Sequence, residues 1–241
     1  MRLHLHGVVR ADHPFPQGSA LRPIGLGDLA VVVSETPDDA AFTGEQAAAH
    51  VTWLSALMVN GPVLPLRLGT TVPDENAART AVTALGPPVL RGHLDRLEGL
   101  AEVHVHVTFD EESALRAVFD EADDQQALLR GGTDLASNIR HGELIAHRLV
   151  AWRRRQADDL LAPVAALAQR TAPVADFVDT EERRAYLVPL DRVETARALV
   201  TGLRTVRAVF TGPLPAYSFL DATPLAEADP FEAPPTSRWG W

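Results

Sequence analysis

The sequence predicts an α+β protein in two domains, residues 1–98 and 99–220, followed by a Pro-rich tail at 221–241. Three observations carry that expectation. Residues 1–98 read as strands followed by helices, with one short strand inserted between the helices. From Glu102 onward the order is strand, helix, strand, strand, helix, strand. At 241 residues, 46% hydrophobic and 22% charged, the chain can bury a sizeable core and has the composition of a soluble globular protein.

Leu3-His4-Leu5-His6-Gly7-Val8-Val9 alternates in its first half, as a half-buried strand does. Prolines and glycines between Ala11 and Gly27 mark a loop with a short strand near Leu21–Ile24. Leu29-Ala30-Val31-Val32-Val33 is a β-branched strand. Thr43 and Gln46 form a capping-box signature, opening a helix that places Ala47, Val51, Leu54 and Met58 on one face. Val63-Leu64-Pro65-Leu66-Arg67-Leu68-Gly69 is an apolar run bounded by turn residues, hence a strand. Pro65 cannot donate to a ladder, which puts that strand at an edge or an irregularity. Asp74 caps the next helix, with Ala78, Ala81, Val82 and Leu85 at helical spacing. A shorter helix with Leu90, Leu94 and Leu97 follows Gly86-Pro87-Pro88 and runs to Gly99.

Glu102 to Thr108 is the cleanest alternation in the chain, and Asp110-Glu111-Glu112 suits the start of a helix. A long helical region opens near Asp134, with Leu144, Ile145, Leu149 and Trp152 on its apolar face. Pro163 inside it costs roughly 3 kcal/mol, so a kink or restart is expected there. Val174–Asp179 and Ala185–Leu190 read as a hairpin linked by Thr180-Glu181-Glu182-Arg183. Asp191 and Glu194 form a second capping-box signature, for a helix carrying Ala196, Leu199, Val200 and Leu203. Thr205–Thr211 is the last strand. The whole order, β-α-β-β-α-β with a long helical insertion, is that of a ferredoxin-like sandwich.

The net charge of -10 argues against a nucleic-acid binder, which displays a basic face. The absence of cysteine excludes disulfides, thiol catalysis and thiolate metal sites, and fits a reducing compartment. MRLHLHGVVRADHP is too short and interrupted for a signal peptide, and no run approaches a membrane span, so a cytoplasmic protein is expected.

Two His-x-His pairs, His4 with His6 and His104 with His106, each project from one face of a strand. Side by side they offer four imidazoles to zinc or copper. The simpler reading puts the leucines and valines toward the core and the histidines on the wetter side of a half-covered sheet, with no metal. Nucleophile elbows, His-Glu-x-x-His, phosphate loops and dinucleotide fingerprints are all missing. Asp38-Asp39, Asp123-Asp124 and Glu181-Glu182 are adjacent carboxylates that diverge, and so solubilise a loop rather than share a proton. Arg153-Arg154-Arg155 precedes Asp158-Asp159 by a turn, a pattern of i,i+4 pairing on a solvated face. Phe231, Trp239 and Trp241 sit on the tail without a core of their own. Arg67 among leucines, just before Gly69-Thr70-Thr71 and a helix start, suggests an anion pocket.

Three stretches together resemble the gas vesicle GvpF/GvpL family. Pro62-Val63-Leu64-Pro65-Leu66-Arg67-Leu68-Gly69-Thr70 is similar to its PVLPLRFGT segment. Leu97-Glu98-Gly99-Leu100-Ala101-Glu102-Val103 is similar to its L-x-G-x-x-E turn into a strand. Gly212-Pro213-Leu214-Pro215-Ala216-Tyr217-Ser218-Phe219 is similar to its closing GPWPPYSF. Leu68 stands where the family usually has Phe, and Leu214 and Ala216 replace its Trp and second Pro. The resemblance runs from about residue 3 to 220 and leaves out the tail.

That resemblance implies two α+β domains, the second ferredoxin-like, and a non-enzymatic accessory protein of gas vesicle assembly. It implies binding to the hydrophobic major shell protein and other accessory proteins, in the cytoplasm or on the vesicle, with no cofactor, nucleic acid or lipid membrane. Pro65, Arg67, Gly69, Thr70, Gly99, Glu102, Gly212, Pro213, Pro215, Tyr217 and Phe219 then serve structure or partner contact, none of them catalysis. On this reading Arg67 pairs with Glu98 or Glu102 instead of an anion. The alternative is a ferredoxin-like protein binding a small molecule, an anion or a metal, or an enzyme of that build.

Overall fold

The computed structural model describes residues 1–16, 19–37, 43–121, 134–174 and 181–220. Two units emerge, and neither is a contiguous stretch. One comprises Met1–Glu102, Leu187–Leu190 and the described residues from Gly212 on; the other comprises Val103–Tyr186 and Asp191–Thr211. The contiguous blocks 1–98 and 99–220 drawn from the sequence therefore differ from these units at the end of the chain, which groups with the beginning.

The first unit is built on an antiparallel sheet of β1 (Arg2–Arg10), β2 (Arg22–Leu26), β3 (Leu29–Thr36), β4 (Leu64–Pro65) and β5 (Thr71–Val72). The order is β2-β3-β1-β4, with β5 also pairing β1. Leu26 and Leu29 pair across Gly27-Asp28, a two-residue hairpin in which Gly27 takes φ 72°. The β-branched run of β3 is buried on both sides, Val31, Val32 and Val33 among it. Thr43 and Gln46 form the capping box of α1 (Gly44–Met58), and Asp74 caps α2 (Glu75–Thr83) by accepting from the Ala77 N–H at 2.8 Å. Pro87 opens α3 (Pro87–Arg96), where its missing N–H costs nothing.

Strand β1 is buried on both faces, which overturns the half-covered sheet expected from its alternation. Leu3 and Leu5 are buried, and so are His4 and His6. Its pairing with β3 slips between Leu5, opposite Val33, and Gly7, opposite Val32, so His6 is the extra residue of a bulge. The His6 carbonyl accepts instead from the Leu66 N–H at 2.8 Å. A Cβ added to Gly7 lies 2.7 Å from the Leu64 carbonyl oxygen, so only glycine lets β4 approach β1 this closely. Gly7→Ala is expected to cost about 1–3 kcal/mol, since backbone must move to admit one methyl. Urea unfolding of the variant checks this; an unchanged midpoint counts against it.

The second unit contains most of β6 (Leu100–Thr108), β8 (Glu181–Pro189) and β9 (Arg207–Leu214), with α4 (Glu111–Asp120), α5 (Leu135–Ala165), β7 (Arg170–Pro173) and α6 (Val193–Thr201). Its sheet has the order β7-β8-β6-β9. Val103, Val105 and Val107 of β6 are buried, as are Ala157, Leu161 and Val164 on α5. Phe109 meets Trp152 edge to face at 5.5 Å.

Four local expectations fail here. Helix α5 runs through Pro163 without a restart and ends two residues later, so the one backbone bond that the missing N–H removes lies in its last turns. Strand β7, Arg170–Pro173, pairs β8, and Glu181–Arg183, read as a link, belong to β8, while residues 175–180 of the expected hairpin lie outside the described residues. Asp191 caps nothing: Leu190–Arg192 forms a 3-10 turn, and α6 starts after Arg192, which makes no side-chain cap. The basic run does not pair along its helix. Arg155 reaches Glu121 at 2.6 Å, Asp158 reaches Arg184 at 3.5 Å, and Arg153 is buried. Asp38-Asp39, Asp123-Asp124 and the tail aromatics Phe231, Trp239 and Trp241 lie outside the described residues. Among the described residues, no helix is long and apolar enough to cross a membrane.

Candidate functional site

Within the first unit, five separate stretches of chain meet at a buried group of imidazoles, among them β3 with Ser34. Strand β1 supplies His4 and His6, helix α1 supplies His50, the segment after β4 supplies Leu66 and Gly69, and the 3-10 turn Tyr217–Phe219 supplies Tyr217. His50 belongs to the buried face of α1 with Leu54, Leu57 and Met58. Its ring is 2% exposed, and those of His4 and His6 are 5% and 0% exposed.

The polar atoms are paired in a chain. His6 Nδ1 and His50 Nδ1 are 2.9 Å apart, and His6 Nε2 lies 2.8 Å from Ser34 Oγ. His50 Nε2 reaches the Leu66 carbonyl at 3.2 Å and the Tyr217 hydroxyl at 3.0 Å. The Gly69 N–H donates to His4 Nε2 at 3.2 Å. One proton assignment satisfies these bonds. Ser34 donates to His6 Nε2, His6 donates from Nδ1 to His50 Nδ1, and His50 donates from Nε2 to the Leu66 carbonyl and Tyr217 oxygen. Trp53 closes over His6 edge to face at 5.3 Å.

All three rings are neutral at pH 7. Burial, then the neighbouring His50, lowers His4 to about 4; burial, then His4 and His50, lowers His6 to about 3. Burial lowers His50 as well, against a smaller opposing effect of the Leu66 carbonyl. The Tyr217 hydroxyl is raised, first by burial and then by the negative charge of Glu102. Ser34 beside His6 does not make a nucleophile–base pair. A histidine that titrates near 3 is a poor proton acceptor, and its second nitrogen faces a neutral ring rather than a carboxylate.

The motif residues belong to the same unit. Pro65 lies opposite Gly7, and the Thr70 carbonyl accepts from the Leu5 N–H at 2.8 Å. Gly69 takes φ 86° to turn the chain there. The Gly99 carbonyl accepts from the Leu190 N–H at 2.9 Å, at a residue with φ 67°. Ser55 Oγ donates to the Pro213 carbonyl at 3.3 Å, just after the cis Gly212–Pro213 peptide. The Tyr217 N–H donates to the Pro215 carbonyl, and Phe219 is buried. Glu102, fully buried, accepts from the Ser218 N–H at 2.8 Å and from Ser218 Oγ at 2.7 Å.

Arg67 is where the sequence misled. It is exposed, its carbonyl accepts from Thr70, and both carboxylates proposed for it are taken elsewhere. Glu98 pairs with Arg10, which also reaches Asp95 at 2.8 Å, and Glu102 holds Ser218. The anion pocket fails with it, because the Gly69 N–H is already engaged by His4. Arg67→Leu is expected to shift stability by less than about 0.5 kcal/mol in thermal unfolding, as exposed substitutions do.

The histidine pairs also divide differently than expected. Among the described residues, the one group of three or more placed to hold a metal is His4, His6 and His50, not His4, His6, His104 and His106. His104 and His106 lie on β6 half-buried, and His106 Nε2 is 2.8 Å from Glu181. His50 was the residue missed. Its spacing with Leu54 and Leu57, i to i+4 to i+7, is the sequence signal that marks it as inward-facing.

Comparison with known proteins agrees across the chain. The family model for gas vesicle synthesis protein GvpL/GvpF matches residues 3–221. Gas vesicle protein F of Streptomyces sp. (strain CB03234) is 27% identical over 245 residues, covering 92% of this chain and all of the relative. Two solved structures share the fold. GvpF from Microcystis aeruginosa matches with a TM-score of 0.74 at 16% identity, over 91% of this chain and 99% of that one. GvpF from Anabaena sp. PCC7120 matches with a TM-score of 0.70 at 18% identity, over 92% and 99%. With the family model spanning nearly the whole chain and the buried motif residues knitted together in one unit, this protein is a member of the GvpL/GvpF gas vesicle synthesis family.

Proposed function

We propose that the protein is a non-enzymatic accessory factor of gas vesicle assembly in the cytoplasm, holding the hydrophobic major shell protein and other vesicle proteins before they join the shell. The observation that carries this reading is the first half of α5. Leu135 and Ile139, one turn apart, are 76% and 54% exposed on it, and Leu144, toward the opposite side of the helix, is 45% exposed, so large apolar side chains meet solvent there in the isolated chain. A net charge of -10 keeps a protein with such a surface dispersed while it holds an aggregation-prone client. The second unit, proposed as the ferredoxin-like domain, supplies the frame for that helix. Its β-α-β-β-α-β order, with α5 as insertion and strand order β7-β8-β6-β9, supports this assignment.

The reading predicts that the shell protein co-purifies with the full-length chain. The triple variant Leu135→Asp, Ile139→Asp, Leu144→Asp is expected to lose that co-purification at unchanged melting temperature. Deleting the gene is expected to abolish vesicles; cells that still float normally overturn the proposal.

A further inference from the structure

We propose that His4, His6 and His50 form a binding site for one divalent transition-metal ion of the zinc class. Each of the three offers a ring nitrogen, and these lie within 4.8 Å of one another. His6 Nδ1 and His50 Nδ1 are 2.9 Å apart, a separation set by one shared proton. Tetrahedral zinc with bonds of about 2.0–2.1 Å holds its nitrogens roughly 3.3 Å apart, so a metal in place of that proton needs only a small opening.

The outward side of each ring is already furnished as metal-bound histidines require. Ser34 Oγ lies on His6 Nε2, and the Leu66 carbonyl and Tyr217 hydroxyl lie on His50 Nε2. On metal binding the His6 proton moves from Nδ1 to Nε2 and is donated to Ser34, while His50 keeps its Nε2 proton. Both Nδ1 atoms are then free to ligate and no proton is lost. His4 is the adjustable third ligand: its Nε2 is held by a 3.2 Å bond from Gly69, a half-exposed residue whose N–H water can serve. A cavity of about 110 Å³ borders His4, His6, Gln46 and Trp53, giving an entry path and room for a water as fourth ligand. Three neutral imidazoles with no thiolate select zinc, cobalt, nickel or copper over calcium or magnesium.

The test titrates zinc chloride and cobalt chloride into the purified, untagged, metal-free full-length protein. The expected result is one ion per chain, a raised melting temperature, and visible absorption bands of low-coordinate cobalt. His6→Gln and His50→Gln abolish the stoichiometric binding, Ser34→Ala weakens it about 10- to 100-fold through the lost outer hydrogen bond, and His104→Gln leaves it intact. Should the histidine variants fail to fold, imidazole nitrogen NMR of the wild-type protein decides, because zinc must move the His6 proton from Nδ1 to Nε2. No stoichiometric ion, binding that survives His6→Gln, loss in His104→Gln, or an unmoved His6 proton each overturns the site.

Discussion

Taking the metal-free protein from pH 7.5 to pH 5.5 is expected to lower its unfolding free energy by about 1.4 kcal/mol for each histidine that stays neutral in the fold, and by up to roughly 4 kcal/mol for the trio His4, His6 and His50. The sign follows from proton binding. Unfolded, each imidazole titrates near its ordinary value of 6.5; folded, burial holds His4 at about 4 and His6 at about 3, and lowers His50. Between the folded and unfolded values the unfolded chain binds more protons, so stability rises with pH through that window. It is complete above pH 6.5 and drains away as the pH falls toward 4. The stated interval stays above the ordinary carboxylate range, so the histidines dominate the change. Urea unfolding at the two pH values measures it, and His4→Gln should remove its share. Equal stability at both pH values contradicts the buried, neutral cluster.

Glu102→Ala is expected to destabilise the protein by about 3 kcal/mol, because a buried hydrogen-bond partner is removed and its donors stay behind. Glu102 is fully buried and receives both the N–H and the hydroxyl of Ser218, from a residue 116 positions away. Those bonds pin the Tyr217–Phe219 turn, which carries the hydroxyl that meets His50. Loosening the turn therefore loosens the histidine cluster as well. Glu102→Gln should cost less, about 1–2 kcal/mol, since one amide oxygen still accepts while the amide nitrogen faces the second donor. Chemical denaturation of both variants checks the order. A loss under about 1 kcal/mol for Glu102→Ala would mean the turn is held by other contacts.

Signals that act within one or two turns of chain were readable without a structure. Thr43 with Gln46, and Asp74, Asp110 and Asp134, sit at the starts of helices because each oxygen satisfies an amide two or three residues on. The β-branched run of β3 and the proline of β4 declared themselves by similarly short-range chemistry. Family membership was legible too, in Pro62–Thr70 and Gly212–Phe219, since those motifs are contiguous. Where a local signal competed with tertiary packing, the signal lost: the Asp191 box gave way to a 3-10 turn, and Glu181–Arg183 joined a strand. The site itself was decided only by the fold. His4, His6, His50 and Tyr217 come from positions up to 213 residues apart, and alternation along β1 said which residues share a face but not that α1 would cover it. A bulge at His6 and the side-chain-free Gly7 brought β4 close enough to bury those histidines. Burial then made them neutral, and Arg67, set among leucines in the sequence, was left in water.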